Sequence, residues 1–188
     1  ILADENPQLG GTLQGSRKEI DNGPALDWVN MVSDELLKME DVTVLPRTTV
    51  ASYYDHNMLL LNQHIGDNML SSASPTPRQR MWKVWAKQVV LATGSIERPL
   101  VFGNNDLPGV MFTSAVQTYV NQYGVLPGKS VVVFTNNDSA YQAVFDMCDA
   151  GAQIQLVVDN RSYLSERAQK LKEIGVEVVS NHVICNAI

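Results

Sequence analysis

Between Val131 and Val179, short apolar runs alternate with helical stretches, and this alternation limits the fold more than any other feature of the chain. Val131-Val-Val-Phe134 reads as a continuous apolar strand, and Thr135-Asn-Asn-Asp-Ser139 as a turn. Ala140 to Ala150 has helical spacing and ends at Gly151. Ile154 to Val158 is the next strand, closing on Asp159. This is a βαβ unit at the length expected of a dinucleotide fold. A helix from Tyr163 or Leu164 to Ile174, then Gly175 and a strand from Val176 to Val179, add a second αβ pair. Val183 to Ile188 reads as one more strand.

A second constraint lies upstream, at Lys87-Gln-Val-Val-Leu-Ala-Thr-Gly-Ser-Ile-Glu-Arg-Pro99. Val89 to Ala92 reads as a short buried strand stopped by Thr93-Gly94. Gly94 has no Cβ, so another backbone or a phosphate can come close there. Pro99 to Pro108 is a Pro- and Gly-rich connection. Thr113-Ser114 can cap a helix running to about Gln122. Gly124 and Pro127-Gly128-Lys129 end it.

The start of the chain fits the same scheme. Ile1 to Ala3 look like the end of a parallel strand, followed by Asp4-Glu5 and the loop Asn6 to Gly11. The chain opens without Met, inside a strand, and so reads as a fragment of a longer polypeptide. An acid at the carboxyl end of a second Rossmann strand can accept hydrogen bonds from an adenosine ribose. Glu5 lies five residues before Gly10-Gly11; this acid-to-diglycine spacing resembles that of the flavoprotein reductases, and the resemblance marks Glu5 rather than Asp4 as that acid. The plainer reading is a solvated acid before a glycine turn.

Pro24 to Met39 has helical spacing, and Val42 to Leu45 is a short strand closed by Pro46. Thr48 to Tyr54, Met58 to Gln63 and Gln79 to Trp85 read as an antiparallel meander, with Asp55-His-Asn57 as its first turn. Asp67 to Arg80 is Ser/Pro/Thr-rich and reads as an exposed loop. Trp82 and Trp85 fall on opposite faces of their strand and are both read as packing residues. His56 and His64 are isolated from other ligand types and are not read as metal ligands or bases.

A dinucleotide fingerprint needs G-x-G-x-x-G: a tight turn, backbone access to the pyrophosphate, and close helix–strand packing. In the second unit those positions hold Thr135, Asn137 and Ala140. Ala140 is tolerated, but Thr135 and Asn137 put side chains where a pyrophosphate would lie. Asp138-Ser139 already caps the helix. Asp159, 24 residues after Thr135, stands where the ribose acid should be. The second unit is therefore read as keeping the fold but making a poor nucleotide site.

Composition excludes several partners. Net charge is -6 and no Lys/Arg cluster is long, which argues against nucleic acid. No apolar run reaches the length of a membrane span, and no signal peptide is visible. Cys148 and Cys185 lie far apart in apolar contexts and read as reduced, buried thiols, which fits a cytoplasmic setting. No redox cysteine pair, Ser-His-Asp grouping or metal-ligand spacing occurs. Arg98, beside the Ala-Thr-Gly turn, either faces an anion or makes a structural ion pair.

Four motifs carry a family resemblance: Glu5-x4-Gly-Gly, Leu91 to Pro99, Asn104-Asn-Asp-Leu-Pro-Gly109 and Phe134-Thr-Asn-Asn-Asp-Ser-Ala-Tyr141. Together they resemble the alpha subunit of heterotetrameric sarcosine oxidase along essentially the whole chain. The Ala-Thr-Gly strand is shared by many flavoproteins; the glycine-poor turn at Thr135 is the more specific mark. Amino-acid, imino-acid and opine dehydrogenase subunits form the same broad group.

The resemblance implies an α/β fold of the FAD/NAD(P)-binding, Rossmann-like class, with two incomplete dinucleotide units and a small antiparallel insertion. Residues 1–112 would form the first unit, without its N-terminal strand and Gly-rich turn. Residues 113–188 would form a second, degenerate and truncated one. It further implies NAD bound in the first unit, with Glu5, Gly10, Gly11, Thr93 and Gly94 as contacts. It places FAD and FMN in the beta subunit, and tetrahydrofolate in a C-terminal region outside these residues. Beta, gamma and delta partners and a small amine substrate, sarcosine, complete the expectation. No catalytic residue is assigned to this chain, which would serve as a scaffold or, in a non-enzymatic reading, as an assembly platform.

Overall fold

The computed structural model describes residues 1–66 and 77–188. Most of the expected Ser/Pro/Thr-rich loop from Asp67 to Arg80 thus lies outside the described residues. The chain divides into two units, Ile1–Leu13 with Lys18–Gly94, and Gln14–Arg17 with Ser95–Ile188. Residues 95–112 group with the second unit, whereas the sequence places the boundary between 112 and 113.

In the first unit, β1 (Leu2–Ala3) runs parallel to β4 (Val44–Leu45), pairing Leu2 with Val44 and Ala3 with Leu45. Between them lie a small hairpin, β2 (Glu19–Ile20) and β3 (Gly23–Pro24), and the helix α1 (Ala25–Lys38). Asp21 and Asn22 turn the hairpin at φ 52° and 63°, a conformation that Asn and Asp tolerate better than most residues. Pro24 stands immediately before the helix, where its missing N–H costs nothing.

The antiparallel meander follows as β5 (Thr48–Tyr54), β6 (Met58–His64) and β7 (Gln79–Trp85). Its register pairs Leu59 with Val84 and Leu61 with Trp82, which puts all four on one face. That face packs with Leu45, Ala3, Ala86 and Val89 into the core of this unit. Trp82 also donates its indole N–H to Gln63 Oε1 at 2.9 Å. Trp85 lies on the opposite face and is 69% exposed, so the packing role expected of both tryptophans belongs to Trp82 alone.

The strand expected over Val89 to Ala92 does not form. Val89 joins the core, but Val90 and Leu91 are 88% and 71% exposed. An apolar run becomes a strand only beside another strand, and among the described residues β1 pairs only with β4. The segment is left without a ladder, and the side chains of Val90 and Leu91 stay in solvent.

The second unit matches the alternation read from the sequence. β8 (Ser130–Thr135), α3 (Ser139–Asp149), β9 (Gln153–Asp159), α4 (Glu166–Glu173) and β10 (Val178–Ser180) form a parallel sheet in the order β10-β9-β8. Both helices end in the same way. Gly151 and Gly175 take φ 89° and 87°. Their N–H groups bond back to Cys148 and Lys172, and the following residues bond to Met147 and Leu171. These are Schellman ends, which need a residue without a Cβ penalty.

The core holds Val144, Val157 and Leu171, fully buried, with Val133, Ala140, Met147, Ala168 and Val178 around them. Burying each such side chain contributes about 1.5–3 kcal/mol. A further helix, α2 (Thr113–Gln117), continues as a single π turn over Thr118–Gln122 and packs through Val116 and Val120.

Three local expectations are corrected here. Val183 to Ile188 is not a strand. It makes only a single bridge, Gly103 with Asn186, because its backbone bonds go to Gly103 rather than to the edge of β10. Cys185 is exposed, whereas Cys148 is partly buried against the core, where burial and then Asp149 push its thiol pKa up. The helix at Thr113 is not capped by its own hydroxyls. Glu97 does that from 16 residues away: Oε1 accepts from Thr113 N and Oγ1 at 3.2 and 2.9 Å, and Oε2 from Ser114 N at 2.8 Å. Partial burial would raise the pKa of Glu97, but these bonds outweigh it and hold the carboxyl below its ordinary value.

Candidate functional site

Two turns stand where sequence reasoning looks for a nucleotide, one after β1 and one after β8, and each is described within its own unit.

The turn after β1 is held by its backbone. Asp4 N donates to Leu45 O, Thr48 N to Asp4 O, and Arg47 N to Asn6 O, so the pairing begun in β1 carries on past it. Asp4 uses its carboxylate locally: Oδ1 accepts from Asn6 N and Asn6 Nδ2 at 2.9 and 3.2 Å, the usual way an Asp sets a turn. Glu5, the next residue, is exposed and bonds to no described residue. The two adjacent acids therefore differ in what their oxygens have left to accept.

Gly10 and Gly11 follow at φ 111° and 50°, and Gly10 O accepts from Leu13 N to open a 3-10 turn over Gly11–Gly15. Nothing lies within 4 Å of where a Cβ on Gly11 would stand. Thr93 and Gly94 are exposed. Gly94 sits at φ 68° with equally open space around it, and no hydrogen bond ties either residue to the Glu5–Gly11 turn. Glu5, Gly10 and Gly11 lie along the loop that follows β1, and Thr93 and Gly94 lie on an exposed segment that no hydrogen bond ties to it. Arg98 is exposed and forms no ion pair with a described residue.

The turn after β8 is filled by its own side chains. Thr135 is buried; its Oγ1 accepts from Asn137 N at 3.1 Å and donates to Asn137 O at 2.8 Å. Asn137 Oδ1 in turn accepts from Ser139 N and Ser139 Oγ at 2.9 and 2.5 Å. Asn137, rather than the expected Asp138-Ser139 pair, thus serves the first turn of α3. The N–H groups of residues 137 and 139, among those a phosphate would use at this helix start, are already engaged.

Asp159 is in the same condition. It is fully buried, and Tyr141 Oη donates to Oδ2 at 2.6 Å. Arg161 donates to it from its backbone N at 2.9 Å, from Nε at 3.0 Å and from Nη2 at 2.7 Å. Nη2 also donates to Asp138 Oδ1 at 2.6 Å. Burial alone would raise the pKa of Asp159, yet the bonds from Arg161 and Tyr141 hold it below its ordinary value. The hydrogen bonds to Asp159, with Asp138 second, raise the pKa of Arg161. Burial, and then the bond to Asp159, raises that of the Tyr141 phenol. A buried carboxylate engaged in this way cannot accept a ribose hydroxyl without losing one of these partners.

Sequence reasoning missed Arg161, Tyr141 and Glu97. The first had a local signal, a cation two residues after a strand-end acid; the other two act across the fold. Among the described residues no group of three or more His, Cys, Asp or Glu is placed to hold a metal, and no helix is long and apolar enough to cross a membrane.

Comparison with known proteins adds a lineage. No protein-family model matches the chain. It is 40% identical over 188 residues to the alpha subunit of sarcosine oxidase from Corynebacterium sp. (strain U-96), covering 99% of this chain and 19% of that protein. It is 30% identical over 165 residues to an opine oxidase subunit from Agrobacterium tumefaciens (strain Ach5), covering 84% of this chain and 31% of that protein. A crystal structure of L-proline dehydrogenase from P. horikoshii superposes with a TM-score of 0.64 at 24% identity, over 87% of this chain and 31% of that one. At that identity the likeness is one of fold, mixed α/β. The resemblance read from the four motifs therefore holds along the chain, which spans about a fifth of the length of the sarcosine oxidase polypeptide it matches.

Proposed function

We propose that this chain is the dinucleotide-binding scaffold of a sarcosine oxidase-type oxidoreductase, with Rossmann-like units, and that its nucleotide binds at the turn after β1. The observation that carries the reading is the contrast between two strand-end acids. Glu5 is exposed and bonds to no described residue, on the loop that leads to Gly11 with open space around it, whereas Asp159 is buried and fully engaged. Glu5 accepts the adenosine ribose hydroxyls, Gly10 and Gly11 let the backbone approach the dinucleotide, and Thr93-Gly94 lie near it.

The residues present fit NAD at this turn, since a carboxylate accepts both hydroxyls of an unphosphorylated ribose. Bound NAD supplies a nicotinamide able to exchange hydride. This chain's own residues bind and orient; none of them is assigned a proton to move.

In the intact enzyme the substrate is sarcosine, demethylated oxidatively to glycine, with tetrahydrofolate as the one-carbon acceptor and hydrogen peroxide formed. FAD and FMN belong to the beta subunit, and gamma and delta complete a cytoplasmic heterotetramer. The test is sarcosine-dependent peroxide release by the intact protein with its partner subunits, with and without tetrahydrofolate. Peroxide in both cases, with methylene-tetrahydrofolate only when folate is present, supports the reading. Reduction of an artificial acceptor by an opine or by proline, with no peroxide from sarcosine, moves the protein to the dehydrogenase side of the group.

A further inference from the structure

We propose that Arg47 is a binding residue for the adenosine half of the nucleotide, its guanidinium stacking on the adenine ring. The inference rests on the NAD reading above, deepens it, and stays within the first unit. It starts from the backbone. Seven described residues other than glycine hold a positive φ, and six of them are Asn, Asp or His, the side chains that bear this conformation best. The seventh is Arg47, at φ 51°. A turn with no use for its side chain is made with less strain by Gly or Asn. An outlier of this kind points to work done by the side chain.

The backbone of Arg47 is clamped from both sides. Its N donates to Asn6 O at 2.9 Å, and its O accepts from His64 N at 2.9 Å. The next residue, Thr48, is buried; its N donates to Asp4 O at 2.8 Å and its Oγ1 to Pro46 O at 2.9 Å. The bonds to Asp4 and Asn6 fall on either side of Glu5. The side chain of Arg47 carries no such restraint. The residue is half-buried, yet its guanidinium makes no hydrogen bond or ion pair with a described residue. Glu5 has none either, so two opposite charges held next to one another by the backbone are both left for a ligand.

Placement in the sheet says which part of the nucleotide Arg47 meets. β1 and β4 run parallel, so their carboxyl ends lie at one edge, and Glu5 and Arg47 each stand two residues past the end of their strand. Ligands of open α/β sheets bind outside such ends. On the NAD reading β1 is the second strand, which carries the ribose acid, while the pyrophosphate belongs to the turn after the first. β4 then lies on the far side of the ribose from the pyrophosphate, where the base is. A planar guanidinium stacks well on an aromatic face. It would also suit a 2′-phosphate, but the Glu5 carboxylate would oppose that charge.

The test is made in the intact protein. Arg47→Gly removes the side chain and suits the positive φ. Arg47→Lys keeps the charge and the backbone strain but loses the planar face. Affinities for NAD, AMP and NADP are measured by equilibrium dialysis, and Tm is recorded without nucleotide.

Arg47→Gly is expected to weaken NAD and AMP by the same factor, about tenfold. Its Tm is expected to hold, because the strain relieved offsets the freedom that glycine adds to the unfolded chain. Arg47→Lys is expected to lose nearly as much affinity as Arg47→Gly. An NAD affinity within about twofold of the unaltered protein in Arg47→Gly overturns the proposal. Full recovery of affinity in Arg47→Lys, or a loss confined to NADP, also overturns it, by assigning the guanidinium to a phosphate. Failure of the unaltered protein to bind NAD or AMP overturns the underlying reading, and this inference with it.

Discussion

Glu5, two residues after β1, and Asp159, the last residue of β9, are the acids that the sequence puts at the ribose position of each unit, and they differ in their chemistry. Glu5 is exposed and bonds to no described residue, one residue after Asp4, whose carboxylate shapes the turn. Asp159 is buried and held by Tyr141 and by the fork of Arg161, which also reaches Asp138. One carboxylate is thus left exposed, as the proposed nucleotide site requires, while the other is a structural post. Position in the fold does not decide between them; the hydrogen bonds already made do.

The largest effect should come from breaking the structural post. Arg161→Ala leaves Asp159 buried beside Tyr141 alone, and losing one partner of a buried pair costs about 3–5 kcal/mol. Urea unfolding of the variant is expected to show that loss, while NAD affinity at the first turn stays near that of the unaltered protein. A stability loss under about 1 kcal/mol, the scale of an exposed pair, would mean that Asp159 is less dependent on Arg161 than its geometry says.

The complementary change removes the ligand group. Glu5→Ala should leave unfolding unchanged, because no described residue bonds to Glu5. It should weaken NAD by roughly 10- to 100-fold, the range of about 1.5–3 kcal/mol for hydrogen bonds to a charged group. Titration calorimetry reads both ends of that statement.

A smaller effect concerns pH. Asp159, Asp138 and Glu97 all have folded pKa values held below their ordinary values of 3.8, 3.8 and 4.5. Their contribution is present above those values and is lost as pH falls through them toward the depressed folded values. Tyr141 runs the other way. Its pKa is raised, so its contribution holds below its ordinary value of 10.0 and is lost as pH rises beyond it. Acid unfolding should therefore steepen below about pH 4.5, the ordinary range of these carboxyls. Glu97→Ala, expected to cost about 1 kcal/mol as a lost helix cap, should make the acid limb shallower. The smallest effect is expected at Trp85. Trp85→Thr alters an exposed face and should stay within about 0.5 kcal/mol by thermal unfolding.

The second unit was legible in sequence because its signals are local. The run Val131 to Phe134 finds its partner in the next apolar run, Ile154 to Val158, and Gly151 and Gly175 mark helix ends by their own freedom at positive φ. Residues whose partners lie elsewhere were not legible. Glu97 caps a helix 16 residues downstream, and Asp146 gathers amides from α2, the π turn and its own helix. The run Val89 to Ala92 shows the opposite error: its composition asks for a sheet, but strand formation depends on a neighbour that a local pattern cannot supply. At the candidate site, spacing separates Glu5 from Asp4, and bonding separates them again by a different physical criterion. For Asp159 the one local sign was Arg161 two residues later; Tyr141, 18 residues upstream, left none.

The most direct test is the number of NAD molecules bound per chain, measured by equilibrium dialysis on the intact protein and on its Glu5→Ala and Asp159→Asn variants. The expected result is one NAD per chain, lost in Glu5→Ala and retained in Asp159→Asn. Two NAD per chain, or binding kept in Glu5→Ala and lost in Asp159→Asn, would contradict the assignment of the nucleotide to the first turn.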